Sequence, residues 1–565
     1  MIPLLILLFF SPFSLFSCTT MLFTKGATED GSVMVSHSDD NEVGDQRIVY
    51  VGAKTYPKGA KRPVFLEKQM FPRYVGTDRG DAYNIEGYPP SKPVGFIDQV
   101  EKTYAYLDAN YGVINEHLLA IGECTNSTHF YFAAPGPTRL FGIAELSRIA
   151  LERCKRAKEA VLLIGKLAEQ RGYYGWGETL LLADPDEGWV FEISCAPDGK
   201  SALWVAKRVP DGEIFVAANQ FRIQEIDPQD PTLLYSSNLF RIAQEQNVLE
   251  KGKPLNWLRL ICPGEFDHPY YSLRRVWRVQ SRLNPDLNLS PWVEDAFTSY
   301  YPFSVKPKKR VRVEEVFALY RDHYEGTEFD LTKGVAAGPY SSPARFIGSY
   351  DRTDFPNKRK TPLPGAWERA ISIYYTGYTY VAQLRKELPK EIGGVVWVGF
   401  DEPYTSCFMP IYSGVSDLPR SFQYGSPKIY TPDFAWWPFN FVANWIRSIY
   451  SYSVKDVVKK QKELEDKERE EALKLEKELA TLWKKQPGSV KERATQFCLE
   501  NAQTILKQWN SLRTDLIEKY NDGYDNKPEP GGMIGYPQEW LDRAGYAKGP
   551  ISYQKDAGGD KEKVQ

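Results

Sequence analysis

Residues 18–41 read CTTMLFTKGATEDGSVMVSHSDDN, and the fold turns on them. Thr19–Phe23 and Ser32–Ser36 are short β-type runs around the turn-forming Glu29-Asp30-Gly31, so the stretch predicts a pair of adjoining strands. Its first residue is Cys18. Ahead of it stands MIPLLILLFFSPFSLFS, residues 1–17, with no charged side chain. The apolar run Leu4–Phe10, broken at Ser11-Pro12, is too short for a transmembrane helix, which needs about 20 apolar residues. Its length suits a secretory signal, although the usual positive segment before it is missing.

Three readings of this leader stand side by side. One is a signal peptide or short propeptide, residues 1–17, ending at Ser17. The second is a lipoprotein signal, Leu15-Phe16-Ser17-Cys18, in which lipid takes the thiol and acylates the amine. The third is a misassigned start or an uncleaved buried segment. A signal peptide implies export to the periplasm or beyond, whereas a propeptide leaves the chain cytoplasmic. A cut after Ser17 puts a thiol and a free α-amine on one residue. Their ordinary pKa values, about 8.5 and about 7.7–8.0, are close enough for useful proton exchange near neutrality. The amine can then take the thiol proton and later deliver it to a leaving amine.

The chain has 565 residues, 42% of them hydrophobic and 25% charged, which is a globular composition. A net charge of −2 argues against nucleic acid or an anionic membrane as the main partner. None of the seven cysteines stands in CxxC spacing, and the five histidines form no HExxH pattern, so no metal or other cofactor is expected. No GxSxG elbow is present.

Beyond the opening strands, residues 104–110, 112–115, 118–121, 180–183, 189–193, 202–209 and 214–218 read as strands. Residues 145–170 have helical apolar spacing. A section rich in Pro, Tyr and Arg follows to about residue 365, with a helix expected at 313–320. Strands return at 370–382 and 393–400. Residues 454–485 and 490–520, separated by Pro487-Gly488, predict a helical hairpin. The domains expected are therefore the leader, a main domain over 18–450, a helical hairpin over 451–525 and an irregular tail over 526–565. The hairpin carries no legible chemistry and reads as a brace or an oligomerisation surface.

Candidate site residues lie near the ends of strands. Asp39 and Asp40 follow the second strand, and a hairpin would bring them back beside Cys18 to orient its amine; the alternative is a plain polar turn. Asn115 in YGVINEH and Asn219 in VAANQF each stand just beyond a β-type run, where an amide can meet a developing oxyanion or cap a turn. Glu116 and Glu123 flank the Asn115 region, as surface groups or as partners of a substrate amine.

Together with DEGWVFEIS, YYSLRRVWRVQSRLNP and LPKEIGGVVWVGFDEPYTSCFMPIYSG, these stretches resemble the C69 family of cysteine dipeptidases in the N-terminal-nucleophile hydrolase superfamily. The resemblance runs over most of residues 18–445. It implies an α+β fold, a four-layer αββα sandwich, with leader removal exposing the cysteine and dipeptides as substrates. It puts Cys18 on the nucleophile, Asp40 on the acid that contacts the amine (Asp39 as the fallback), and Asn115 and Asn219 on the active-site asparagines. His37 stands where related acylases usually carry Arg, so a pH-dependent contact replaces a fixed cation there. Arg274 and Arg275 are the candidates for a late-chain cation. An acylase acting on a non-peptide amide, and a lipid-anchored surface protein without catalysis, are the rival functions.

Overall fold

A computed structural model describes residues 17–41, 44–250, 252–265, 270–293, 297–346 and 368–546. Residues 1–16, most of the expected leader, and residues 547–565, in the expected tail, lie outside them. Two large antiparallel sheets dominate. The first has seven strands in the order Ser304–Val305, Ile214–Ala217, Ser17–Phe23, Val33–Asp40, Tyr378–Leu384, Gly394–Phe400, Met409–Tyr412. The second has eight, in the order Leu233–Tyr235, Ala202–Arg208, Gly188–Cys195, Gly177–Ala183, Ala120–Asn126, Gly112–Asn115, Tyr106–Asp108, Val49–Val51.

The sheets pack face to face where Ser17–Phe23 and Val33–Asp40 meet Ala120–Asn126. Gly122 marks the closest approach: a Cβ there would stand 2.5 Å from Thr20 Oγ1 and 3.0 Å from the Ser36 carbonyl, so no larger residue fits. Helices Ile143–Arg153 and Ala157–Arg171 cover the outer face of the eight-stranded sheet, burying Leu146, Ile149, Val161 and Ile164 with Leu180, Phe191 and Trp204. Leu273–Leu283, Val313–Tyr320, Trp436–Ile446 and the two long helices cover the seven-stranded sheet. This is the four-layer αββα arrangement.

Several elements differ from the expectation. The second strand continues through Asp40, so residues 38–40 are strand rather than turn; the ladder to Tyr378–Leu384 on its other side satisfies their backbone groups. The helix expected over 145–170 is two helices. Asn115 Nδ2 donates to the Leu151 and Cys154 carbonyls at 2.8 Å each and so ends the first. Asp184 Oδ2 accepts the Ala157 N–H at 2.9 Å and begins the second. Residues 370–377 precede their strand instead of forming it.

The long helices Tyr450–Lys485 and Gly488–Lys519 form the hairpin, and they share one core with the seven-stranded sheet. Not all of their charge faces water. Glu465, Glu468 and Glu476 are buried, and each has a partner: Arg321, Asn501 (2.6 Å) and Arg385 (2.7 Å) respectively. Among the described residues, no helix is long and apolar enough to cross a membrane.

Candidate active site

Cys18 lies on the first strand, with Asp39 directly opposite on the second and His37 opposite Thr20. Strand periodicity therefore puts the Cys18, His37 and Asp39 side chains on one face of the sheet and Thr19 and Asp40 on the other. The Cys18 thiol is 1% exposed. Its sulfur, a ring nitrogen of His37 and a carboxylate oxygen of Glu123 all lie within 4.8 Å of one another. Donors of these three kinds also suit a transition metal such as zinc. Burial, followed by the negative charges of Glu123 and Asp39, raises the thiol pKa well above its usual value. The sulfur is thus held as a thiol and needs a base before it can attack.

His37 Nδ1 lies 2.8 Å from the Glu123 carbonyl oxygen. A carbonyl only accepts, so Nδ1 carries the proton and Nε2 keeps its lone pair. Burial lowers the pKa of this histidine against the pull of Glu123, which keeps the ring neutral. Tyr111, Tyr378 and Tyr380 ring it at centroid distances of 5.4–6.0 Å.

Asp39 accepts a hydrogen bond from Asn110 Nδ2. Burial nevertheless pushes its carboxyl up to about 7, with Asn110 and Tyr378 opposing the shift. Asp40 is a different case. Arg369 Nη2 donates to one of its oxygens and Thr376 Oγ1 to the other at 2.7 Å, and Ser17 lies across the ladder from it.

Arg275 organises the other side of Cys18. The helix Leu273–Leu283 delivers it fully buried, and each of its five N–H groups has an acceptor. Nη1 donates to the Cys18 carbonyl at 2.8 Å and to Thr19 Oγ1 at 2.9 Å. Nη2 donates to the Ala218 carbonyl at 3.3 Å and to Asn219 Oδ1 at 2.6 Å, and Nε donates to the Tyr271 carbonyl at 3.1 Å. Burial, then the nearby Arg369, lowers its pKa.

This contact orients the Asn219 amide, because a guanidinium cannot accept and Oδ1 must therefore face it. One Nδ2 hydrogen goes to the Thr125 carbonyl at 2.7 Å, which leaves the second for another acceptor. Asn219 sits just past its strand at φ 62°, a left-handed conformation that Asn tolerates. Its backbone N–H donates to Cys124 Sγ at 2.9 Å, and that sulfur contacts the Cys18 carbonyl at 3.4 Å.

Two candidates fall elsewhere. Asn115 is not brought to this cluster: its Nδ2 ends the helix at Cys154, and its Oδ1 accepts the His117 and Leu119 N–H groups at 3.0 and 3.1 Å. Arg274 pairs with Glu368 and lies against Phe329, Trp292, Tyr270 and Trp277. One residue of helical rotation separates it from the role Arg275 takes. Sequence reading gave no role to Cys124, Glu178 or Arg369, and it left Glu123 between a surface and a substrate role. Glu123 stands just past the β-type run 118–121; the structure extends that strand to Asn126 and so buries an acidic residue within it.

An αββα sandwich with a buried cysteine on its first strand, beside a histidine and an arginine-held asparagine, has the layout of a cysteine hydrolase. Residues 98–463 match the model for peptidase family C69, and the chain belongs to that family. The match begins after Cys18, His37 and Asp40 and includes Asn219 and Arg275.

Curated relatives include a "Probable dipeptidase" of Latilactobacillus sakei, 24% identical over 515 residues, which span 89% of this chain and 94% of that one. A "Probable dipeptidase" of Salmonella dublin is 25% identical over 73% of this chain and 83% of its own. "Dipeptidase A" of Lactobacillus helveticus is 22% identical over 72% and 77%. Among solved structures, penicillin V acylase from Agrobacterium tumefaciens aligns with 70% of this chain and 86% of its own, at 12% identity and a TM-score of 0.27.

Proposed function

We propose that the protein is a cysteine dipeptidase that works after residues 1–17 are removed and Cys18 becomes the N-terminal residue. The observation that carries this reading is the buried Cys18, with Arg275 on its carbonyl and the Asn219 amide held by the same guanidinium. Family membership and relatives named dipeptidases support the substrate class.

In the uncut chain the Cys18 nitrogen is a peptide nitrogen and cannot serve as a base. Removing the leader takes away Ser17, the residue opposite Asp40 in the ladder. The new amine then emerges next to the carboxylate that Arg369 and Thr376 hold in place. The amine takes the Cys18 thiol proton, the sulfur attacks the scissile carbonyl, and the free Asn219 Nδ2 hydrogen stabilises the oxyanion. The proton passes to the departing amino acid, and water hydrolyses the thioester.

The test is a mature chain beginning at Cys18, assayed on a panel of dipeptides and on acylated amides, with N-terminal peptide mass as the first measurement. Dipeptide hydrolysis that disappears in Cys18→Ala is the expected result. Full activity in Cys18→Ala overturns the mechanism, and a diacylglyceryl group on Cys18 overturns it equally.

A further inference from the structure

Next to the thiol lies Glu123, and on the adjoining strand Glu178; the mechanism above uses neither. Glu123 and Glu178 are 0% and 3% exposed. They stand on adjacent strands, where Thr125 pairs with Glu178 and Glu123 with Leu180. Their carboxyls interact directly. Burial, then the Glu123 charge and the hydrogen bond between the two, push the Glu178 pKa well up, which favours its neutral form. Among the described residues no Lys or Arg forms an ion pair with either group, and Oε2 of each meets no donor from outside the pair. Glu123 Oε1 accepts from Thr125 Oγ1 at 2.9 Å. His37, 3.8 Å from Glu123 Oε2, is too far for a hydrogen bond, and its Nε2 is also unmatched.

Two carboxyls buried side by side with no Lys or Arg beside them are expensive and call for a cation. The other acids near Cys18 or near the pair are already supplied: Asp39 by Asn110, Asp40 by Arg369 and Thr376, and Glu67 by the Ala144 N–H at 3.0 Å.

Covalent geometry says which cation fits. In a dipeptide the α-nitrogen is about 2.5 Å from the scissile carbonyl carbon, two bonds away. A thiol poised for attack stands about 3–3.5 Å from that carbon. The ammonium group therefore lies roughly 4–6 Å from the sulfur, and a Glu123 oxygen stands within 4.8 Å of the same sulfur.

We propose that the Glu123–Glu178 pair is the subsite that binds the α-ammonium group of the substrate, which places the first peptide carbonyl at Cys18. This rests on the dipeptidase reading. It makes a free amino terminus, rather than the identity of either side chain, the first requirement of the enzyme. An N-acylated dipeptide would bury the pair against a neutral amide and leave its charge uncompensated.

The experiment compares kcat/KM of the mature enzyme for a dipeptide and for its des-amino analogue, in which hydrogen replaces the ammonium group. The comparison is repeated in Glu178→Gln and Glu123→Gln. We expect the wild type to favour the free amine by at least 100-fold, with each variant reducing that ratio at least tenfold, chiefly through KM. Because either variant could fail to fold, a second measurement uses the wild type alone: competitive inhibition by an amino-acid amide against its N-acetyl form, with the ammonium form at least tenfold tighter. Dipeptide hydrolysis with an unchanged ratio in the folded variants, or equal inhibition by the two amides, overturns the subsite and leaves the dipeptidase reading standing. A wild type that hydrolyses the des-amino amide but no dipeptide overturns both.

Discussion

Replacing Arg275 with Lys keeps the positive charge and removes the fork. Five acceptors surround this guanidinium, four of them the Cys18, Thr19, Ala218 and Asn219 oxygens and the fifth the Tyr271 carbonyl. An ammonium has three donors, so at least two acceptors lose their partner. A buried group left unsatisfied costs about 1–3 kcal/mol, giving a loss of roughly 2–6 kcal/mol of stability. The Asn219 amide also loses the contact that orients it, and loss of one oxyanion donor typically costs about 100- to 1,000-fold in kcat. Urea unfolding followed by tryptophan fluorescence reads the first effect, and dipeptide turnover normalised to titrated Cys18 reads the second. A variant within about 1 kcal/mol of wild type and within threefold in kcat would refute the argument that geometry, not charge, is what Arg275 supplies.

Other outcomes are expected. Asp40→Asn leaves the buried Arg369 without its carboxylate and should cost about 3–5 kcal/mol in urea unfolding; a smaller cost at full activity would show that Asp40 neither pairs in solution nor orients the amine. Asn115→Ala removes four backbone contacts at a helix end and a turn. It should lower the melting temperature while kcat/KM, measured well below melting, stays within threefold of wild type. Folded Asp39 keeps its proton up to about pH 7, whereas the unfolded chain loses it near pH 4. Its contribution therefore becomes less favourable as pH rises between those values. Asp39→Asn should flatten the dependence of stability on pH over that window, and an unchanged slope would mean that the native carboxyl is already ionised.

Much of the fold is legible from local pattern. The alternation in 19–23 and 32–36, the apolar spacing of 454–485 and 490–520, and Gly31 in its turn at φ 73° all act over a few residues. Where the two differ, a distant partner decides. The split in the helix expected over 145–170 comes from Asn115 and Asp184, neither of them near it in sequence. The strand through Asp40 is secured by Tyr378–Leu384, more than 300 residues away.

The same division runs through the site. Cys18 stands out in the sequence because an uncharged apolar stretch ends against it, and Asn219 because it follows a strand. Only the tertiary structure separates Arg275 from Arg274: helical rotation sends one into the sheet beside Cys18 and the other into an aromatic box. It alone sends Asn115 to a helix end, and it alone sets Glu123 beside the thiol and Glu178 beside Glu123, because strand pairing joins residues that the chain keeps more than fifty positions apart.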